Sequence, residues 1–115
     1  MYKLIPYELF LKSIPLMEIQ NVSLVSRGIK PSKQTKKGFA ETWIDMRGSK
    51  KILQTKNGFR DQLWNVRRNS FIKRHMAQVK KNHEPLFVGG IPSKRHLSLI
   101  AWGYSPSVSQ LKKKL

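Results

Sequence analysis

Residues 59–82 read FRDQLWNVRRNSFIKRHMAQVKKN, and the phase of their apolar side chains decides how the chain folds. At 100° per residue, Phe59, Leu63 and Val66 fall on one side, whereas Phe71, Ile72, His75, Met76 and Val79 fall almost opposite. The phase changes at Asn69-Ser70. Either the helix breaks there, with Asn69 or Ser70 capping a new N-terminus, or one continuous helix is covered by different neighbours on opposite faces of its two halves. In both cases the second half is amphipathic, with Lys73, Arg74, Lys80 and Lys81 collected on the face away from the core. Arg60, Arg67, Arg74 and Lys81 also recur every seven residues, a slowly drifting basic line on an unbroken helix. A solvated helix surface is the plainer reading of such a stripe.

Downstream, Pro85 ends this region. The run LFVGGIP sets a Gly-Gly turn between short apolar flanks, compatible with a short β-hairpin near residues 86–91 or a tight ordered loop. Ser93 then suits the cap of a helix from Lys94 to Trp102, with Gly103 as its stop. Leu97, Leu99, Ile100, Ala101 and Trp102 surround most of that helix, which predicts the most buried element of the fold. SPSVSQ reads as loop, and the closing LKKKL as a basic tail carrying Lys112, Lys113 and Lys114.

Upstream, Pro6 fits the first turn of a helix over Tyr7 to Ser13. Pro15 opens a second one running to about Arg27, where Gly28 stops it. Leu16, Ile19, Val22 and Val25, with Leu24 beside them, form the stripe predicted to be buried there. Residues 29–57 hold a loop rich in Pro, Ser, Thr, Gly and Lys, an aromatic anchor at Phe39, Trp43, Ile44 and Met46, and a turn at Gly48. A second loop follows around Lys56-Asn57-Gly58. The organisation expected is a near-neutral helical docking or packing segment (1–28), a basic loop region (29–58), a helical core (59–106) and a basic tail (107–115). The fold class is mostly α: one small domain of four or five short helices.

Charge is the strongest functional signal. The 115 residues carry 23 Lys+Arg against 6 Asp+Glu, a formal charge of +17. By segment this is +1 over residues 1–28, +6 over 29–57, +6 over 58–82 and +4 over 83–115. So few acids argue against carboxylate metal sites, two-metal nucleases and enzymes of acidic substrates, and the absence of cysteine excludes disulfides, thiolate zinc sites and thiol nucleophiles. There is no P-loop, dinucleotide fingerprint or zinc spacing. No apolar run reaches the roughly 18 residues that span a bilayer, and charged residues and prolines interrupt any signal-peptide core near the N-terminus. Neither cofactor nor metal is expected, and with no recognisable signal peptide the expected location is inside a cell or in a virion, with no compartment assigned.

Two short strings echo each other 21 residues apart: Ile72-Lys73-Arg74-His75-Met76 and Ser93-Lys94-Arg95-His96-Leu97. The second places Lys94 and Arg95 at a helix N-terminus, where arginine's planar fork can grip phosphate oxygens in two places. His75 and His96 lie on apolar faces, where donation to backbone carbonyls is the commoner fate. The ribonuclease toolkit would draw on His75, His83, Glu84, Arg95 and His96, yet no spacing fixes a geometry for them. Trp43, Trp64 and Trp102 could stack on bases if exposed, although their apolar company points to the core.

Arg68, Phe71, Ile72, Arg74 to Lys80, Glu84 to Leu86, Pro92, Lys94 to Leu97, Trp102 and Tyr104 to Pro106 together resemble an uncharacterised domain of marine bacteriophage and large DNA virus proteins, with Lys94 where that pattern has arginine. The resemblance covers about residues 59–106 and implies a viral origin without assigning a chemistry. Ile5, Pro6, Glu8, Leu9, Pro15, Glu18, Ile19, Val25, Ser26 and Arg27 are similar to an F-box, which implies an adaptor role; the interval between the prolines is about one helical turn short, and the tryptophan after Ser-Arg is missing.

The function expected is that of a non-enzymatic, virus- or phage-encoded basic protein. It would contact DNA or RNA phosphates without sequence specificity, in a virion or nucleoprotein assembly and away from membranes. The expected contacts are Lys36, Lys37, Lys50, Lys51, Arg67, Lys73, Arg74, Lys80, Lys81, Lys94, Arg95, Lys112, Lys113 and Lys114. The alternatives are a minor virion protein that binds acidic protein surfaces, a ribosomal RNA-binding protein, an F-box-like adaptor and a small metal-independent ribonuclease.

Overall fold

The computed structural model describes residues 2–22, 52–53 and 62–115. Of the basic loop region expected over 29–58 only residues 52–53 are among them, and the anchor expected at Phe39 to Met46 lies outside them. The described chain runs α1 (Tyr7–Ile19), β1 (Ile52–Leu53), β2 (Gln62–Leu63), α2 (Trp64–Asn82), β3 (Phe87–Val88), β4 (Ile91–Pro92), α3 (Lys94–Ala101) and α4 (Val108–Lys114). It is mostly helical, as its sequence predicts. Two compact units divide it: residues 1–23 with 71–115, and residues 24–70.

The question posed by residues 59–82 has a clear answer. One helix runs unbroken from Trp64 through Asn69-Ser70 to Asn82. The boundary between the compact units lies inside it, between Ser70 and Phe71, at the change of apolar phase. Residues 62–63 are not helical. In the smaller unit Gln62 and Leu63 pair antiparallel with Leu53 and Ile52, a strand pair the sequence reading missed because two-residue strands carry too little periodicity to register. Val66, expected on an apolar side, is 47% exposed.

In the larger unit, α1 is one helix where two were expected. Pro6 caps it instead of entering its first turn, its carbonyl accepting from the N–H groups of Leu9 at 3.0 Å and Phe10 at 3.3 Å. Pro15 lies inside the helix. It cannot donate to the Leu11 carbonyl, and the Leu11 side of the helix faces solvent. The buried side is Leu9, Phe10, Ser13 and Met17, with the Ser13 hydroxyl donating to the Leu9 carbonyl at 2.7 Å. Of the stripe expected to be buried, Ile19 is 73% exposed, Leu16 and Val22 are half-buried, and Leu24 and Val25 lie outside the described residues. Asn21, at φ 56°, ends the helix well before Arg27.

The Gly-Gly turn forms the hairpin its sequence predicts. Phe87 pairs with Pro92 and Val88 with Ile91, leaving Gly89 and Gly90 as a two-residue loop at φ +62° and +82°. Both central residues have positive φ, the condition of a type I′ turn. A Cβ at either glycine would meet nothing within 4 Å, so backbone conformation and not space demands glycine here.

Ser93 caps α3 as expected, its hydroxyl accepting from the His96 N–H at 3.1 Å. At the other end, Gly103 at φ +77° donates to the Ile100 carbonyl, and Tyr104 donates to that of Leu99. This is a Schellman closure. The same six-to-one bond recurs after α1 (Val22 N–H to Met17) and after α2 (Glu84 N–H to Val79), with Asn21 and His83 in the left-handed position.

Around α3 gather Ile5, Leu9, Phe10, Met17, Ile72, Leu97, Leu99, Ile100 and Leu111, all nearly inaccessible to water. α1 packs on α3, and the Ile5 N–H bonds the Gly103 carbonyl at 2.9 Å. The tail is a further correction. Residues 108–114 form α4 because Leu111, wholly buried, gives the lysine run an anchor.

A histidine at φ 49° carries left-handed strain that glycine does not. His83→Gly is expected to raise the unfolding free energy by about 1 kcal/mol, and Gly103→Ala to lower it by about 1–2 kcal/mol, both read from urea denaturation.

Candidate nucleic-acid interface

A helix turns 100° per residue, so Lys73 and Lys80 superpose within about 20°, as do Arg74 and Lys81. The two lines flank Ala77. All five residues are exposed, and none of the four cations pairs with a carboxylate among the described residues. Two cation pairs thus stand about 10.5 Å apart along the axis on one small-residue floor. On the opposite side of α2, Ile72 is fully buried and the Phe71 ring lies 5.0 Å from that of Trp102, which fixes the direction in which the cations point. Trp102 is core, so it offers no face for stacking bases.

Elsewhere Lys94, at the start of α3, and Lys112, Lys113 and Lys114 on α4 are exposed. Arg67 is half-buried in the other unit. Lys36, Lys37, Lys50 and Lys51 lie outside the described residues.

Arg95 has a different fate. Its Nε donates to Glu84 Oε1 at 3.0 Å and its Nη2 to Glu84 Oε2 at 3.2 Å, a two-point grip on the carboxylate. The fork that the sequence reading aimed at phosphate oxygens is filled from within. Nη1 of the same guanidinium meets His75 Nδ1 at 3.1 Å. Arginine only donates, so Nδ1 accepts, and the neutral ring carries its proton on Nε2. Phe71 stacks on that ring at 4.0 Å. Asn82 donates to Glu84 Oε2 at 3.4 Å and to Gln78 at 3.2 Å. Glu84, Lys94, Arg95 and Ser98 line a cleft of about 320 Å³ beside this cluster.

The electrostatics follow. The hydrogen bonds from Arg95 hold the Glu84 carboxyl below its usual range, so it stays ionised. Burial first, then the charges of Arg95 and Arg74, push His75 down, against a smaller upward pull from Glu84. His96 is pushed down by burial, although its bond to Leu86 works the other way. Its Nδ1 donates to the Leu86 carbonyl at 2.8 Å and its Nε2 accepts from the Ser105 hydroxyl at 2.7 Å. That is the backbone-bonded core histidine its apolar face predicts.

Three of the five residues in the ribonuclease toolkit, His75, Glu84 and Arg95, therefore converge, while His96 is sealed and His83 serves the helix end. Within the cluster the basic nitrogen of His75 is taken by Arg95, and both Glu84 oxygens accept from the same guanidinium. The partnership of Glu84 was the feature least visible in the sequence. Its one signal is that Glu84 is the sole acidic residue among residues 62–115, which hold eleven Lys and Arg. Among the described residues no three His, Asp or Glu side chains form a metal-binding group, and no helix is long and apolar enough to cross a membrane. No known protein family, curated protein or solved structure matches the chain.

Both lowered histidines favour the neutral ring in the folded state, so their contribution to stability is complete above about pH 6.5 and is lost as pH falls through their folded values. Urea midpoints are expected to hold steady above about pH 7.5 and to drop on acidification below about 6.5. In His75→Gln the drop shrinks, because one of the two sites of proton uptake on unfolding is gone.

Proposed function

We propose that this chain is a non-enzymatic basic protein that binds the phosphate backbone of DNA or RNA without reading sequence. The observation that carries the reading is the α2 face: Lys73, Arg74, Lys80 and Lys81 are exposed, lack carboxylate partners among the described residues and are aimed outward by the buried Ile72. Lysines on such a face neutralise phosphates and release condensed counterions. Contacts of this kind position a protein on nucleic acid and carry no base information. Lys94 and the α4 lysines extend the set of outward cations. A viral origin and a place in a virion or nucleoprotein assembly accord with this charge pattern and rest on the sequence resemblance alone.

Binding of the full chain to random-sequence duplex DNA, duplex RNA and single-stranded RNA, followed by fluorescence anisotropy across a salt series, tests the reading. Log affinity is expected to fall linearly with log salt. Replacing Lys80 and Lys81 together by Gln should flatten the slope by about 1–2, since each lost phosphate contact removes about 0.9. Lys12→Gln, on the exposed side of α1, should leave slope and affinity within about twofold. Equal losses from both changes would mean a diffuse charge effect and not an α2 interface. Absence of binding at low salt would sink the reading.

A further inference from the structure

We propose that Arg95, with Lys94 and Ser98 beside it, forms a nucleic-acid phosphate site, and that the Glu84 carboxylate holds its fork until a backbone phosphate displaces it. The inference rests on the polyanion reading above and names a subsite for it.

The guanidinium uses two separate edges. Nη1 is anchored on His75 Nδ1, and the Nε–Nη2 edge grips Glu84. A carboxylate and a phosphate present oxygens to that edge in the same two-point geometry. Exchange at the Nε–Nη2 edge therefore leaves Arg95 held by His75, with Phe71 stacked behind the imidazole. The guanidinium does not have to be repositioned.

The pair is also accessible. Arg95 is 30% and Glu84 25% exposed, and a salt bridge so open to water contributes little to stability. It faces a cleft of about 320 Å³ also lined, among the described residues, by Lys94 and Ser98. The Lys94 ammonium has no carboxylate partner among the described residues and would meet an incoming phosphate with a second positive charge. Asn82, already 3.4 Å from Glu84 Oε2, offers the displaced carboxylate a donor outside the fork.

Charge arithmetic marks Glu84 as a special case. Residues 62–115 hold one acidic side chain against eleven Lys and Arg, and that one acid sits on the arginine whose fork faces the cleft. A carboxylate in this position excludes weak anions from the fork and yields to a polyanion that is held at several phosphates at once.

Anisotropy on the full chain with random-sequence duplex DNA and duplex RNA compares wild type, Glu84→Gln and the double variant Glu84→Gln/Arg95→Gln. Glu84→Gln keeps the shape and removes the competing charge. It is expected to bind about three- to tenfold more tightly with the salt slope unchanged, because the wild-type complex already makes the Arg95 phosphate contact. The double variant should lose the gain in affinity and flatten the slope by about 0.9, one phosphate contact fewer. A Glu84→Gln chain that gains nothing, or a gain that persists without Arg95, overturns the proposal while leaving the α2 interface standing; a wild type that binds neither duplex overturns both. An independent measurement needs no variant. On titrating the wild-type chain with duplex, the Arg95 Nε–H resonance is expected to shift together with the α2 amides, and an Nε–H signal that stays fixed while those amides move would also overturn the exchange.

Discussion

The larger unit depends on one uncharged imidazole. His96 is wholly buried, and its two nitrogens do opposite things: Nδ1 donates to the Leu86 carbonyl and Nε2 accepts from the Ser105 hydroxyl. Nδ1 must donate to the carbonyl, and burial disfavours a second proton on the ring, which leaves Nε2 as the acceptor. Leu86 spends its carbonyl on two partners, His96 and the Ser93 N–H at 2.9 Å, which closes the base of the β3–β4 hairpin against the start of α3. Ser105 in turn accepts from the Ser107 N–H, ahead of α4. Hairpin, central helix and C-terminal helix are thus joined through a single side chain.

Fixing His96 also fixes its neighbours. Consecutive residues on a helix diverge by 100°, so with His96 inward Arg95 is carried round to meet Glu84 and His75, and Lys94 to solvent. The echo on α2 has the same logic with a different outcome. Lys73 and Arg74 face water, and His75 turns to the Arg95 of the second string. The two Lys-Arg-His strings are alike in sequence and meet in space, yet among the described residues only one of the two arginines is bound to a carboxylate.

What the sequence disclosed was local chemistry. Gly89-Gly90 in a type I′ turn, Ser93 as a cap, Gly103 as a helix stop and the buried α3 were legible because a few adjacent residues dictate each of them. Pro15 misled, since proline opens helices more often than it sits within them, and here burial of Met17 beyond it carries the helix on. The lysine tail read as solvated because the single anchoring Leu111 is too little periodicity to mark a helix. The Glu84–Arg95 grip was out of reach for another reason. It spans eleven residues and a hairpin, and its geometry follows from His83 adopting a left-handed conformation that no composition rule assigns to histidine at a helix end.

The placement of charge bears on folding as well as on binding. On α2, adjacent pairs of cations recur about 10.5 Å apart, close to the screening length of roughly 8–10 Å at physiological salt, so their mutual repulsion is only partly screened. On α4 three lysines follow one another. In each case a buried apolar residue, Ile72 or Leu111, holds the helix against the protein while its cations repel. With Glu84 the sole acidic side chain of residues 62–115, little counter-charge for this array lies within that stretch. A bound polyanion would relieve the repulsion on the very helices that present the cations. On the reading proposed here, ligand binding and helix stability are therefore coupled by mass action, each favouring the other.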